Sequence, residues 1–264
     1  MSNSNTITVN LSNDHVKRVS KSTPIRAIEE LVWNSLDADA TEVSIRINKN
    51  GLGNASITVE DNGEGISIKQ ANSYLSYIGN SWKTKKDETT SGRPLHGQKG
   101  EGRFKAFSLG RFIEWDSIYE EKDAFRRIKI HFRSENGNKA EIIQEPFNVS
   151  LKETKHKVTV TDLSKRITNY NFDNLKDELT QTFAAHLYSY PEIIIYVDGY
   201  KIEPDEAVHE ITSYEIEISE LEGNHTVKII EWAEIKAKQL FLCKANGAVL
   251  KDLRVDSNKV RSLG

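Results

Sequence analysis

Cysteine is all but absent. Cys243 is the only one among 264 residues, which excludes an internal disulfide and any metal site built from a cysteine cluster, and points to a reducing compartment. Long apolar runs are absent too: none exceeds a few residues, far short of the roughly 20 that a membrane-spanning helix needs. Residues 1–15 (MSNSNTITVNLSNDH) lack the apolar core of a secretory signal. Neither sign of charge prevails, with 36 Lys and Arg against 39 Asp and Glu, so the chain as a whole is no electrostatic binder of nucleic acid. Repeats and low-complexity tracts are missing as well. These absences leave a cytoplasmic protein with no membrane partner. Its hydrophobic fraction of 37% suffices for the core of one large domain, or of one domain with a small appendage.

What is present is an ordered succession of elements. Thr23-Pro24 reads as an N-cap followed by proline at the first helical position, and the helix it opens runs to about Leu36. Two strands follow, with alternation at Val43, Ile45 and Ile47 and then at Ile57 and Val59, joined by a turn over Asn50–Asn54. Asp61-Asn62-Gly63-Glu64-Gly65 ends the second strand, and Ser67 with Gln70 forms a capping box for a helix to about Tyr77. From Gly79 to Gly102 the chain is polar, holds five glycines and has no period, as functional loops do. A helix is expected from about Arg103, then strands near 113–118, 127–132 and 158–161. Phe172, Leu175, Leu179, Phe183 and Leu187 mark an amphipathic helix, stopped by Pro191 before a strand over Ile193–Val197. Beyond about residue 205 only strand patterns remain, at 214–218, 227–232, 240–243 and 249–250, with turns at Glu222-Gly223-Asn224 and Asn246-Gly247. The chain stops at Leu263-Gly264 soon after this β-rich piece begins, as a shortened or minimal version of a larger protein does.

Three clusters carry chemistry. At about 100° per residue, Asn34 lies about 40° and Asp37 about 20° from Glu30, while Ile28, Val32 and Leu36 gather on the opposite side. One helix face thus suits a core, and the other presents carboxylate, amide and carboxylate in a line. Glu29 falls at the edge of the apolar arc, so Glu30 is the better candidate of the two. In the second cluster, Asp61-Asn62-Gly63-Glu64-Gly65-Ile66, two glycines let the backbone approach a ligand closely, and a strand-end carboxylate accepts from an amine-bearing heterocycle. The third, Gly97-Gln98-Lys99-Gly100-Glu101-Gly102-Arg103-Phe104-Lys105, runs glycine-rich backbone into a helix start, a natural place for phosphate. It is not a Walker loop, since Gln98 stands where that motif needs lysine, and its glycine spacing is not that of the dinucleotide fingerprint. Each cluster alone is ordinary: a solvated helix face, an Asn-Gly turn, a generic anion site.

Their order along the chain is not ordinary. Together they resemble the GHKL ATPase superfamily, which groups DNA gyrase, the ninety-kilodalton heat-shock chaperone, histidine kinases and MutL. The stretch Glu30-Leu31-Val32-Trp33-Asn34-Ser35-Leu36-Asp37-Ala38-Asp39-Ala40-Thr41 is close to the N-box of MutL- and MORC-type members, and residues 61–66 and 97–102 match the two glycine boxes. The resemblance implies ATP and Mg²⁺ as cofactors, with Glu30 as general base, Asn34 as the Mg²⁺ ligand and Asp61 reading the adenine amino group. It further implies nucleotide contacts from Asp37, Gly63, Gly65, Ile66, Lys83, Gly97, Gln98, Lys99, Gly100, Glu101, Gly102, Arg103 and Phe104. Residues 79–102 match the ATP lid, where Lys83–Lys86 and Arg93 are expected to face phosphate rather than DNA.

The implied fold is α+β, the Bergerat two-layer sandwich with a mixed sheet and helices on one face, plus a small β-rich C-terminal segment. Residues 1–20 are then an N-terminal arm, flexible or dimerising, 21–205 the ATP-binding domain, and 206–264 part of a transducer domain. In that segment Lys236, Lys238 and Lys244 are the candidates to reach the γ-phosphate. The implied activity is slow ATP hydrolysis driving lid closure and homodimerisation, acting on a DNA or protein client through domains outside this chain. Two alternatives stand beside it: a histidine-kinase-type catalytic domain, and an ATP-binding module with negligible turnover. One departure from the family pattern is His156, which occupies the place of the usual threonine before the strand at 158–161 and puts the adenine-side contacts in question.

Overall fold

The computed structural model describes residues 3–8, 22–76, 88–96, 102–134, 139–145, 153–217, 224–233, 240–243 and 249–253. The expected capping signals operate as read. Thr23 Oγ1 accepts from the Arg26 N–H at 3.3 Å, opening α1 (Pro24–Asp37). The Ser67 N–H donates to Gln70 Oε1 at 2.8 Å and the Gln70 N–H to Ser67 Oγ at 3.2 Å, opening α2 (Ile68–Ser76).

By chain contacts the protein divides into two units, Met1–Leu175 with Ile193–Lys201, and Lys176–Glu192 with Ile202–Gly264. The first is built on a nine-stranded sheet. Its strands are β1 (Asn3–Thr8), β2 (Glu42–Asn50), β3 (Gly53–Asp61), β4 (Gly110–Glu121), β5 (Ala124–Arg133), β6 (Lys139–Gln144), β7 (Lys155–Leu163), β8 (Ile194–Val197) and β9 (Tyr200–Lys201). The spatial order is β1-β6-β5-β4-β7-β3-β2-β8-β9. Every neighbouring pair is antiparallel except β2 with β8, so the sheet is mixed. Helix α1 lies against β2 and β3, and the short α3 (Lys165–Thr168) against β3 and β7. This is the α+β architecture expected.

Register explains where the core sits, because residues paired across strands face the same side. One row reads Ile45, Val59, Val158, Trp115, Ile130, Ile142, and the next Ile47, Ile57, Val160, Ile113, Phe132, Ala140. All twelve are buried. The opposite face is polar: Glu60, Lys157, Asp116 and Lys129 form one of its rows. Arg127 there grips Asp116 with two bonds, of 2.7 and 2.5 Å. Burial alone raises the Asp116 carboxyl, but Arg127, with Lys129 and Lys157, outweighs it and holds the group below the usual carboxylate range.

The helix expected from about Arg103 is instead a 3-10 segment, Gly102–Ser108. One residue, Leu109, separates it from β4, and short helical connectors of this kind commonly take the tighter 3-10 form.

In the second unit α4 (Leu175–Ser189) buries Leu179, Phe183, Ala184 and Leu187. Phe172 precedes α4 rather than belonging to it. The Tyr188 hydroxyl donates to Asp205, and burial together with that carboxylate pushes the phenol up to about 12. β10 (Val208–Glu217) pairs with β11 (Asn224–Trp232), and β12 (Leu240–Cys243) with β13 (Val249–Leu253). The expected turn at Asn246-Gly247, and all but Asn224 of the one at 222–224, lie outside the described residues. Among the described residues no helix is long and apolar enough to cross a membrane.

Candidate functional site

The third row of the core face breaks the apolar rule. Reading across the sheet it runs Val43, Asp61, His156, Ser117, Ile128, so three adjacent positions are polar. Asp61 is 4% exposed and its carboxylate is held from two sides. Ser35 Oγ, from α1, donates to Oδ2 at 2.6 Å, and the Gly63 N–H donates to Oδ1 at 3.0 Å. Burial raises the Asp61 carboxyl above its ordinary value, and His156, Ser35 and the Gly63 N–H reduce that rise without reversing it. His156 faces the converse: burial lowers its imidazole, against the pull of Asp61 and Asp116. Its ring meets Trp115 edge-on at 5.8 Å, and its Nδ1 is shut from solvent with no hydrogen-bond partner among the described residues.

The loop after Asp61 is clamped between α1 and β4. The Glu64 N–H donates to the Ala38 carbonyl at 2.8 Å, and the Ile66 N–H to Ser117 Oγ at 2.6 Å. Both glycines are needed for this fit. A Cβ on Gly63 would lie 2.6 Å from the Ala38 oxygen, and one on Gly65 only 2.3 Å from the Ile118 oxygen. Gly65 also has φ +72°. Gly65→Ala is therefore expected to cost at least about 1–3 kcal/mol from the backbone conformation alone, read as a lowered melting temperature; an unchanged melting curve would contradict the fit described.

Helix α1 contributes Glu30, Asn34 and Asp37, each a turn or less from the next and all preceding the Asp61–Gly65 loop that its C-terminus contacts. Asp37 is buried and accepts the His96 N–H at 2.8 Å. Glu30 Oε2 accepts from Lys105 Nζ at 2.7 Å.

Residues 88–96 form a tight turn fastened to the same helix end. The His96 ring stacks on Trp33 with centroids 4.1 Å apart, and Thr90 Oγ1 donates to Glu64 at 2.7 Å. Asp39, at φ +61°, accepts from the Ser91 N–H at 2.9 Å and Oγ at 2.5 Å. Arg93 is 4% exposed. It pairs with Asp39 at 3.1 Å and donates to the Ala40 and Leu36 carbonyls at 3.0 and 3.3 Å, capping the C-terminus of α1. The expectation that Arg93 faces phosphate is thus overturned: its buried guanidinium is taken up by the half-buried Asp39 carboxylate and by helix-end carbonyls.

Burial pushes Asp39 up, but hydrogen bonds from Ser91, Thr89 and Arg93 prevail and hold it below its ordinary value. A depressed carboxyl stabilises the fold above its unfolded pKa, near 4, and that contribution is lost as pH falls through the folded value. Arg93→Ala, which takes the cation from Asp39 and the donor from the Leu36 and Ala40 carbonyls, is expected to cost about 1–3 kcal/mol near neutrality. Chemical denaturation of both proteins should show the difference narrowing below about pH 4; a difference independent of pH would remove Asp39 from the account.

Lys83, Gly97, Gln98, Lys99, Gly100 and Glu101 lie outside the described residues, as do Lys236, Lys238 and Lys244. Gly102, Arg103 and Phe104 lie in the 3-10 segment that carries Lys105. Sequence reasoning missed Ser35, Ser117 and Lys105.

The arrangement suits a nucleotide. A buried carboxylate at a strand end, a close-packed glycine loop beside it, and in the same row a buried imidazole nitrogen with no partner among the described residues suit a flat, amine-bearing base. Among the described residues no group of three or more His, Cys, Asp or Glu is placed to hold a metal.

Comparison with known proteins gives a family model, described as histidine kinase-, DNA gyrase B- and HSP90-like ATPase, matching residues 22–161. Among curated proteins, a putative type II restriction enzyme, HgiDII of Herpetosiphon aurantiacus, is 36% identical over 110 residues. That match covers 42% of this chain and 17% of the relative. The DNA mismatch repair protein MutL of Aquifex pyrophilus is 31% identical over 107 residues, which cover 40% of this chain and 24% of MutL. The matches thus span less than a quarter of either relative.

Proposed function

The chain belongs to the histidine kinase-, DNA gyrase B- and HSP90-like ATPase family, and on that premise we propose that it binds and slowly hydrolyses Mg²⁺-ATP as a conformational switch. The observation that carries the reading is the buried Asp61 carboxylate beside the Gly63–Gly65 cradle, tied through Ser35 to the helix that bears Glu30 and Asn34. In this reading Asp61 accepts from the adenine amino group, and Gly63, Gly65 and Ile66 let the base lie against backbone. Asn34 holds Mg²⁺. Asp37 supports the site through the His96 backbone. Lys83, the segment Gly97–Gly102, Arg103 and Phe104 enclose the phosphates.

Bound Mg²⁺-ATP supplies a γ-phosphoryl group whose charge the metal neutralises, so the protein has mainly to position a water and take its proton. Glu30 takes that proton, one helical turn from Asn34, and the i, i+4 spacing sets the two side by side.

Closure over the nucleotide, with two copies of the chain joined by it, is the switch we propose. Residues 1–20 and the β-rich segment 206–264 are the parts through which it acts. The names of the two relatives, a restriction enzyme and a DNA mismatch repair protein, make DNA the first client to try. The test is phosphate release from Mg²⁺-ATP over a range of protein concentrations, with and without DNA. A specific rate that rises with concentration supports a dimerising ATPase. A melting temperature raised by Mg²⁺-ATP with no phosphate released would leave ATP as a structural ligand only.

A further inference from the structure

A flexible glutamate on a helix surface is a poor general base until something fixes it. Three torsions separate its carboxylate from the backbone, and a base must stand within hydrogen-bond reach of the proton it takes. Lys105 answers that need. It lies 75 residues further along the chain and donates from Nζ to Glu30 Oε2 at 2.7 Å. The Glu30 side chain is 19% exposed and that of Lys105 35%, so the pair is partly screened from water. It belongs to the segment Gly102–Ser108, which packs on α1 and directly follows the glycine run assigned to phosphate.

We propose that Lys105 is a positioning residue for Glu30: its ammonium fixes the carboxylate through Oε2 and leaves Oε1 to accept the proton of the attacking water. A charge-assisted bond is short and directional enough to do this. An ammonium also has two further N–H groups, so it can donate to a second acceptor without releasing Glu30. The consequence is that the base is assembled only when the segment after the glycine run is seated on α1. Phosphate binding and base positioning are then one event. The proposal rests on Glu30 being the base.

The experiment measures ATP affinity by calorimetry and kcat by phosphate release for wild type, Lys105→Met, Lys105→Arg, Glu30→Gln and the double variant Lys105→Met with Glu30→Gln. Lys105→Met is expected to keep its ATP affinity within about threefold while kcat falls about 10- to 100-fold, the cost of a misplaced catalytic group. Lys105→Arg restores at least about a third of the wild-type rate, since a guanidinium also holds a carboxylate. In the Glu30→Gln background, removing Lys105 changes the residual rate less than about twofold, because two residues acting as one unit are not additive. A loss of affinity at unchanged kcat would make Lys105 a phosphate ligand and overturn the proposal, as would fully multiplicative losses in the double variant. Should Lys105→Met fail to fold, judged by circular dichroism, Lys105→Gln carries the same comparison. Wild type that binds no ATP refutes the reading of the site itself. Wild type that binds ATP without turnover removes the base from Glu30 and the positioning role from Lys105 together.

Discussion

Asp61→Asn is expected to weaken ATP binding by at least about 100-fold, which is about 2.7 kcal/mol, with little change in the fold. An ionised carboxylate is acceptor-only, whereas an amide puts two donors on one of its ends. At Asp61 both ends already receive donors, from Ser35 Oγ and from the Gly63 N–H. Whichever way the amide turns, its NH₂ meets one of those donors and presents hydrogen to an incoming amino group. Sites built around a buried hydrogen bond reject the mismatched partner by factors of about 10⁴ or more, so 100-fold is a floor. Asn is close to Asp in shape, and the Ser35 hydroxyl can still donate to its amide oxygen. Titration of both proteins with Mg²⁺-ATP and Mg²⁺-GTP decides it. Wild type should prefer ATP, and a variant that binds ATP within fivefold of wild type would remove Asp61 from adenine recognition.

Glu30→Ala should leave ATP bound and unspent. General base catalysis contributes about 10²–10⁴-fold, and kcat is expected to fall by that factor while affinity stays near that of wild type. Affinity survives because Glu30 in this reading touches the water and not the nucleotide. Loss of the carboxylate leaves Lys105 without its partner, but its side chain is 35% exposed and water can solvate the ammonium. Because hydrolysis no longer empties the site, the ATP-bound form accumulates, and sedimentation with saturating ATP should find the variant as a dimer. A kcat within threefold of wild type would take the base role from Glu30. A variant that stays monomeric with ATP bound would separate hydrolysis from association.

Much of this was open to reading before any coordinates. The polar line of Glu30, Asn34 and Asp37 shows in helical spacing alone, and Asp61–Gly65 in the break of strand alternation by two glycines. The capping box at Ser67 and Gln70 and the hairpin of β2 and β3 follow from local rules, which need no knowledge of the rest of the chain. What stayed hidden is long-range. Lys105 reaches Glu30 and Arg93 reaches Asp39 across 75 and 54 residues, and no local pattern records which cation meets which carboxylate. Arg93 looked like one more lid charge because burial of a single guanidinium has no periodicity.

Ser35 and Ser117 did leave a trace. At about 100° per residue Ser35 falls about 140° from Glu30, toward the apolar arc, and Ser117 takes an inward position in step with Ile113 and Trp115. A hydroxyl where the period demands a hydrocarbon signals a buried partner, here Asp61 and the Ile66 N–H. The 3-10 form of Gly102–Ser108 was not legible, since composition does not separate one tight turn from the start of an α-helix.

The polar row of Ser117, His156 and Asp61 gives the sheet an unfinished interior. Two rows of hydrocarbon end there, against side chains that are hydrogen-bonded except at His156 Nδ1, which has no partner among the described residues. In the proposed reading a planar heterocycle completes that row, with faces for the hydrocarbon and an edge for the carboxylate. On the proposed function the domain is a protein whose native state is completed from outside, and its rigidity becomes a record of how much nucleotide surrounds it.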